Sequence, residues 1–165
     1  MSAVTGTHLV YLYRIASEAA SENGIRIGLT TEDELSISAD SDATATKDGS
    51  VRSAGVPEIE KTCTSLFDTE DAMIPKLKNA ILNNALIEIW EANLDKPVQN
   101  QTNKYEGTYY QGYISEFSAS SPADGNVEIS LTFGINGKGA TGSVTVPVSQ
   151  QDDGQYTFVD TPKTA

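Results

Sequence analysis

The chain is short of the residues that build most active sites and of the charge that binds nucleic acid. Of 165 residues, one is cysteine, Cys63, and one is histidine, His8. A lone cysteine excludes an intramolecular disulfide framework. With no basic-plus-apolar segment at the N-terminus, it speaks against a secretory signal and for a protein made in a cytoplasm. No apolar run approaches the ~20 residues a membrane-spanning helix needs. Basic residues are outnumbered, 11 Lys and Arg against 23 Asp and Glu, for a net charge of −12. Such a surface repels phosphate backbones and anionic membranes, which disfavours an ordinary nucleic-acid binder, and it also serves plain solubility.

Catalytic constellations are equally scarce. A triad or histidine metal site would have to be built around His8 alone, which precedes an apolar stretch that reads as a buried strand. Cys63 reads as a small buried side chain rather than a thiolate nucleophile. Gly134 to Gly142, GINGKGATG, is glycine-rich, but Lys138 is followed by Gly139 where a phosphate loop needs Ser or Thr. Asp40 and Asp42 begin like a calcium loop that supplies neither the sixth-place glycine nor the closing glutamate. Asn100-Gln101-Thr102 matches a glycosylation sequon, without meaning in a chain lacking a secretory signal. Carboxylate runs such as Glu32-Asp33-Glu34 or Asp152-Asp153 are expected by chance at this composition. No catalytic residue, cofactor or metal is assigned.

What the chain does have is alternation. From Asn126 to Ile135, the apolar Val127, Ile129, Leu131, Phe133 and Ile135 alternate with Glu128, Ser130, Thr132 and Gly134, the period of a strand with one face in a core. Residues 108–118 are rich in Tyr, Ile and Phe, and Ser-Pro-Ala-Asp-Gly-Asn between the two runs makes a turn, so residues 105–138 read as a β-hairpin. Residues 8–15 read as a strand covered on both sides. Residues 24–29 and 34–40 read as a short hairpin turning over 30–33. Residues 57–67 alternate with Ile59, Cys63 and Phe67 on one side, and Lys61 falls on that apolar side against the pattern.

Residues 40–56 are small and polar, with no period that would bury anything; they read as a long loop. Residues 68–84 predict the one helix, with Asp68 or Thr69 as cap and Ile74, Leu77, Ile81 and Leu82 on one face; Pro75 lies near its first turn. Residues 86–90 predict a strand, 93–104 a solvated connector, 140–148 another strand, and 156–159 a short last one. The whole reads as one domain over 1–165, with an N-terminal arm 1–7 and a flexible tail 149–165. The fold class is mainly β, an antiparallel sandwich or barrel with one packed α-helix.

This order of features, with the strand PEIEKTCTSLF, the helix TEDAMIPKLKNAILNN, the strand LIEIW and the late hairpin, resembles the major tail protein, or tail tube protein, of long non-contractile tailed phages. The similarity spans roughly residues 5–148 and is closest to phages of lactococci and related Gram-positive hosts. It implies a structural virion protein, not an enzyme, made in the host cytoplasm. Copies of it would form hexameric rings stacked into the tube through which DNA leaves. It further implies partners among tape measure, terminator and baseplate-proximal proteins, with DNA passing without specific binding and no membrane involved.

Matched strand for strand, the resemblance places Glu34, Ser36, Ser38, Glu58, Glu60, Thr62, Thr64, Glu116, Glu128, Ser130 and Thr132 toward the lumen. Glu116 is the least defined of these, because residues 108–118 are apolar on both faces. The loop 40–56, with Asp42, Thr44, Thr46, Lys47, Asp48, Gly49 and Arg52, would make contacts between rings, mobile in the monomer and ordered on stacking. Two other readings stay open. One is a β-sandwich module binding carbohydrate or protein through Tyr105, Tyr109, Tyr110 and Tyr113; the other is a small carboxylate hydrolase.

Overall fold

The computed structural model describes residues 2–151 and 160–163. Among these residues eight strands form two sheets. A six-stranded antiparallel sheet has the order β1-β6-β7-β8-β5-β2, and β3 and β4 form a separate pair. The strands are β1 Leu9–Ile15, β2 Thr30–Ser38, β3 Ser41–Thr46, β4 Gly49–Ala54, β5 Glu58–Leu66, β6 Ile87–Pro97, β7 Lys104–Ser120 and β8 Glu128–Thr145. Among the described residues the one α-helix, α1, is Met73–Leu82. The fold is thus mainly β and antiparallel with one helix, as the alternation requires.

The large sheet curls over its own core. Tyr13 of β1 stacks on Phe133 of β8 with ring centroids 5.4 Å apart, although two strands lie between them in the sheet. Around that stack the concave face collects Ile15, Ile27, Ile59, Cys63, Ile87, Ile89, Ile129 and Leu131, and α1 closes it with Met73, Ile74, Leu77 and Ala80. A smaller cluster on the opposite face, Val10, Leu12, Ala92, Val144 and Val146, is packed by Trp90, Leu94 and Tyr105.

Several boundaries differ from expectation, each for a physical reason. The helix is shorter than 68–84. Asp68 makes a turn of its own, its backbone carbonyl accepting from the Asp71 amide at 3.0 Å. Asp71 Oδ1 then accepts from the Met73 amide at 2.8 Å, so the helical bonds start there. Pro75 is its third residue, where an amide has no intrahelical partner to lose. Leu82 points to solvent rather than inward, and Asn84 ends the helix in the left-handed region at φ 52°.

Residues 24–29 are not a strand; only Ile25 bridges to Tyr13, and β2 begins at Thr30, in what reads as the turn. Its partner is β5, a long-range ladder that local pattern does not show. Phe67 lies beyond the end of β5 and is exposed. The expected connector 93–104 is shorter, spanning only residues 98–103, since β6 runs on to Pro97 and β7 starts at Lys104. The expected strand 140–148 is, as far as Thr145, the continuation of β8, carried past a bulge at Gly137 and Gly139, whose φ values are 69° and 78°; Val148 already begins a 3-10 turn.

Residues 40–56 are no irregular loop but a β-hairpin. Six pairs join β3 to β4 around Lys47 and Asp48, with Gly49 at φ 121°. Thr46 Oγ1 donates to the Gly49 carbonyl at 2.6 Å and accepts from the Asp48 amide at 3.2 Å. The short alternation Asp-Ala-Thr-Ala-Thr, lacking large side chains, hides this strand from a hydrophobic pattern. The supposed tail is tied in at its start: Gln150 Oε1 accepts from the Arg26 amide, and Gln151 Nε2 donates to the Val146 carbonyl at 2.6 Å. The strand expected at 156–159 lies outside the described residues.

Candidate functional site: a polar sheet face and a projecting hairpin

Directly opposed residues of an antiparallel ladder share a face, so the register assigns each side chain. One row crosses four strands as Glu34, Thr62, Thr132 and Glu116. The next rows are Ser36, Glu60, Gly134 and Tyr113 on one side, and Glu32, Thr64, Ser130 and Ser118 on the other. Ser38 pairs with Glu58, and Glu128 with Ser120, at the two ends. All eleven residues expected on the polar face therefore lie together on the convex side of the sheet. Glu32, Ser118 and Ser120 join them.

Those three additions rest on two bulges. Glu32 sits in what reads as a turn, but a bulge at Thr31 carries it onto the polar face. Ser118, Ser120 and the uncertain Glu116 depend on a second bulge. Ile114 opposes Phe133 and Glu116 opposes Thr132, so Ser115 is the extra residue, its hydroxyl donating to the Thr132 carbonyl at 3.2 Å. The bulge reverses the phase of alternation, which makes YISEF look apolar on both faces.

The face is acidic and almost free of cations. Glu32, Glu34, Glu58, Glu60, Glu116 and Glu128 lie on it, separated by Ser and Thr, and no Lys or Arg occupies these rows. Strands spaced ~4.8 Å apart put Glu34 and Glu116, three strands from each other, beyond the ~8 Å physiological screening length. Glu32 and Glu34, and Glu58 and Glu60, lie closer, ~6.6 Å apart along their strands; among the described residues no group of acids, histidine or cysteine is arranged to hold a metal. At the hairpin end, Lys138 borders the face in a cleft with Ser36, Ser38, Glu58 and Glu60.

Both borders of this four-stranded region are bare edges. Among the described residues strand β2 pairs only with β5. Strand β6 covers β7 from Tyr105 to Gly112 and no further, so residues 113–120 have no strand partner on that side among the described residues. Unpaired edges of this kind are templates for pairing with another chain.

The hairpin projects from the same end of β2 and β5. Every residue of β3 and β4 is exposed on both faces. Asp42, Thr44 and Thr46 share one face, Lys47 and Asp48 form the tip with Gly49 following, and Arg52 lies on the other face, where its guanidinium donates to Ser41 Oγ at 3.2 Å. A two-stranded ribbon with no core is marginal in water by itself.

The tyrosines do not form one exposed cluster. Tyr110 is buried, and Tyr105 packs on the smaller core and donates to Gln151. Tyr109 donates to Glu88 Oε2 at 2.7 Å and receives Gln111. Burial raises the Tyr109 hydroxyl above its ordinary pKa, and the bond to Glu88 adds to that. Glu88 also takes two bonds from Arg14, which lies over Trp90. Tyr113 alone is openly exposed. His8 sits on the surface against Asp95, and Cys63 is buried, its thiol pushed up to about 12 chiefly by desolvation. Among the described residues no helix is long and apolar enough to cross a membrane.

A curled sheet with an acidic outer face, two edges unpaired among the described residues and a fully exposed projecting hairpin has the features of a structural subunit rather than of an enzyme site. The chain belongs to the phage tail tube protein family, whose sequence pattern matches residues 3–140. As a member it is a structural component of the tail tube and so of the virion tail. It is 28% identical over 158 residues to a putative tail protein of Staphylococcus phage phiMR25, covering 93% of this chain and 81% of that one. Its fold is similar to the SPP1 tail tube subunit with a TM-score of 0.79 at 21% identity, over 99% of this chain and 95% of that one. It is also similar to a chain from the tail of an empty gene transfer agent particle, computed with C6 symmetry, with a TM-score of 0.66 at 13% identity, over 84% and 98% of the two chains. A sheath–tube complex of an extracellular contractile injection system gives 0.56 at 12% identity, over 86% and 93%.

Proposed function

We propose that six copies of this chain close into a ring by pairing the bare edge of β2 with residues 113–120 of the next copy, and that rings stack into the conduit for DNA. The observation that carries this is the continuous acidic face ending in two unpaired edges. Head-to-tail contacts close a ring when the rotation is right, and an axial contact extends it. Sixfold symmetry is supported by the gene transfer agent tail. The acidic face lines the channel and repels phosphates, so DNA slides without binding.

The hairpin makes the axial contact, reaching with Asp42, Thr44, Thr46, Lys47, Asp48, Gly49 and Arg52 onto the adjacent ring. Tape measure, terminator and baseplate-proximal proteins are the partners this role requires. The protein has no catalytic task, is made in the host cytoplasm, and belongs to a phage of a Gram-positive host, as the staphylococcal phage relative supports. Negative-stain microscopy of concentrated protein tests the reading: regular hollow rods are expected. Deleting residues 44–53 should leave folded subunits that make none, and rods of normal length from that variant would remove the hairpin from the contact.

A further inference from the structure

Lys61 is fully buried in the subunit core, an unusual place for an ammonium. Its Nζ donates to the Thr62 carbonyl at 2.7 Å and lies 4.2 Å from the centre of the Tyr11 ring. Tyr11 is itself fixed, its hydroxyl donating to Glu91 at 2.6 Å. These partners belong to β5, β1 and β6, so the ammonium is held in place without β2. Its one carboxylate is Asp33 of β2, at 2.7 Å. The tie crosses the open seam where the curled sheet brings β1 near β2, a cleft of about 450 Å³ lined by Thr7, Leu9, Tyr11, Thr30 and Asp33.

Strand β2 needs such a tie. Its core-facing side chains besides Asp33 are Thr30 and Leu35, both half-buried, and Ile37, 63% exposed, so only two of them are apolar. Apolar burial therefore discriminates weakly between the observed register and one shifted by two residues, which keeps the same face inward. A shift of that size moves Asp33 by ~6.6 Å along the strand. The carboxylate then leaves an ammonium whose position is set by other strands, and an unpaired buried charge is strongly unfavourable.

We propose that the Lys61–Asp33 pair is the register key of β2, fixing the one alignment in which this edge strand offers its outer edge to a second copy of the chain. The assembly part rests on the tube reading above; the register part does not. Lys61 and Asp33 are positioning residues, since both side chains lie on the core face of the sheet and neither belongs to the polar face.

The test replaces both charges, Lys61→Met with Asp33→Leu, and follows the unassembled subunit by urea unfolding and hydrogen exchange, then rod formation by microscopy. The expected double variant unfolds at the same or higher urea concentration, because an apolar pair of similar volume removes the desolvation cost. Its β2 amides exchange at least roughly tenfold faster while β5 and β8 keep their protection, and its threshold concentration for rods rises at least roughly tenfold. Lys61→Met alone, leaving the partly solvated Asp33, should show the same loosening.

Unchanged β2 protection in both variants would overturn the proposal. Global unfolding of both would also overturn it, because the pair would then support the core rather than align one strand. If the unaltered protein forms no rods, the tube reading fails while hydrogen exchange still decides the register key.

Discussion

Glu116 stands opposite Thr132 in the β7–β8 ladder, while Ile114, two residues earlier, stands opposite Phe133 on the other face. The bulge at Ser115 makes this possible and completes a row of four polar side chains with Glu34 and Thr62. The inserted residue brings Glu116, Ser118 and Ser120 of β7 onto the polar face that β2, β5 and β8 already carry.

Reversing a charge on this wall should affect DNA and not folding. Glu128→Lys is exposed and points away from the core, so stability should change by less than ~0.5 kcal/mol. Phage carrying it should eject DNA more slowly, measured by dye uptake on released DNA. Ejection at the unaltered rate would count against the channel assignment.

Asp71 joins two segments, Oδ1 receiving the Met73 amide and Oδ2 the Gly28 amide, each at 2.8 Å. Asp71→Ala removes the start of α1 and its tie to the segment before β2. A loss of roughly 1–2 kcal/mol is expected by urea unfolding.

Gly112 marks where β6 stops covering β7. A Cβ there would overlap the Gly134 carbonyl oxygen of β8, a backbone atom that cannot swing aside. Gly112→Ala should destabilise by about 3 kcal/mol or more, or prevent folding, as read by circular dichroism and soluble yield.

Alkaline pH should unfold the subunit. Burial pushes Cys63 from 9.0 up to about 12, and burial also raises Tyr11, with its bond to Glu91 adding, and Tyr13 well above the ordinary phenol value. In each case the protonated form is favoured in the folded state, so this contribution is fully present below the unfolded pKa and fades as pH rises. Stability should be level through neutrality and fall from about pH 9 upward, checked by urea unfolding across that range. A level profile up to about pH 11 would contradict the burial of these groups.

The late hairpin, the inward residues of β5 and β8, and the polar list were legible because strict alternation encodes one buried face. The phase changes were not. Thr31 and Ser115 are ordinary residues, and only their ladder partners mark them as bulges. The arm β3–β4 was hidden because its strands bury nothing, and Lys61 broke a pattern whose explanation, Asp33, lies on another strand.

A helical reconstruction of rods assembled from the purified protein tests the central claim most directly. The row Glu34, Thr62, Thr132 and Glu116 should face the axis, with β2 of one copy paired to residues 113–120 of its neighbour in a closed ring of six. A channel lined by α1, or by the Arg14 and Trp90 face, would contradict the account.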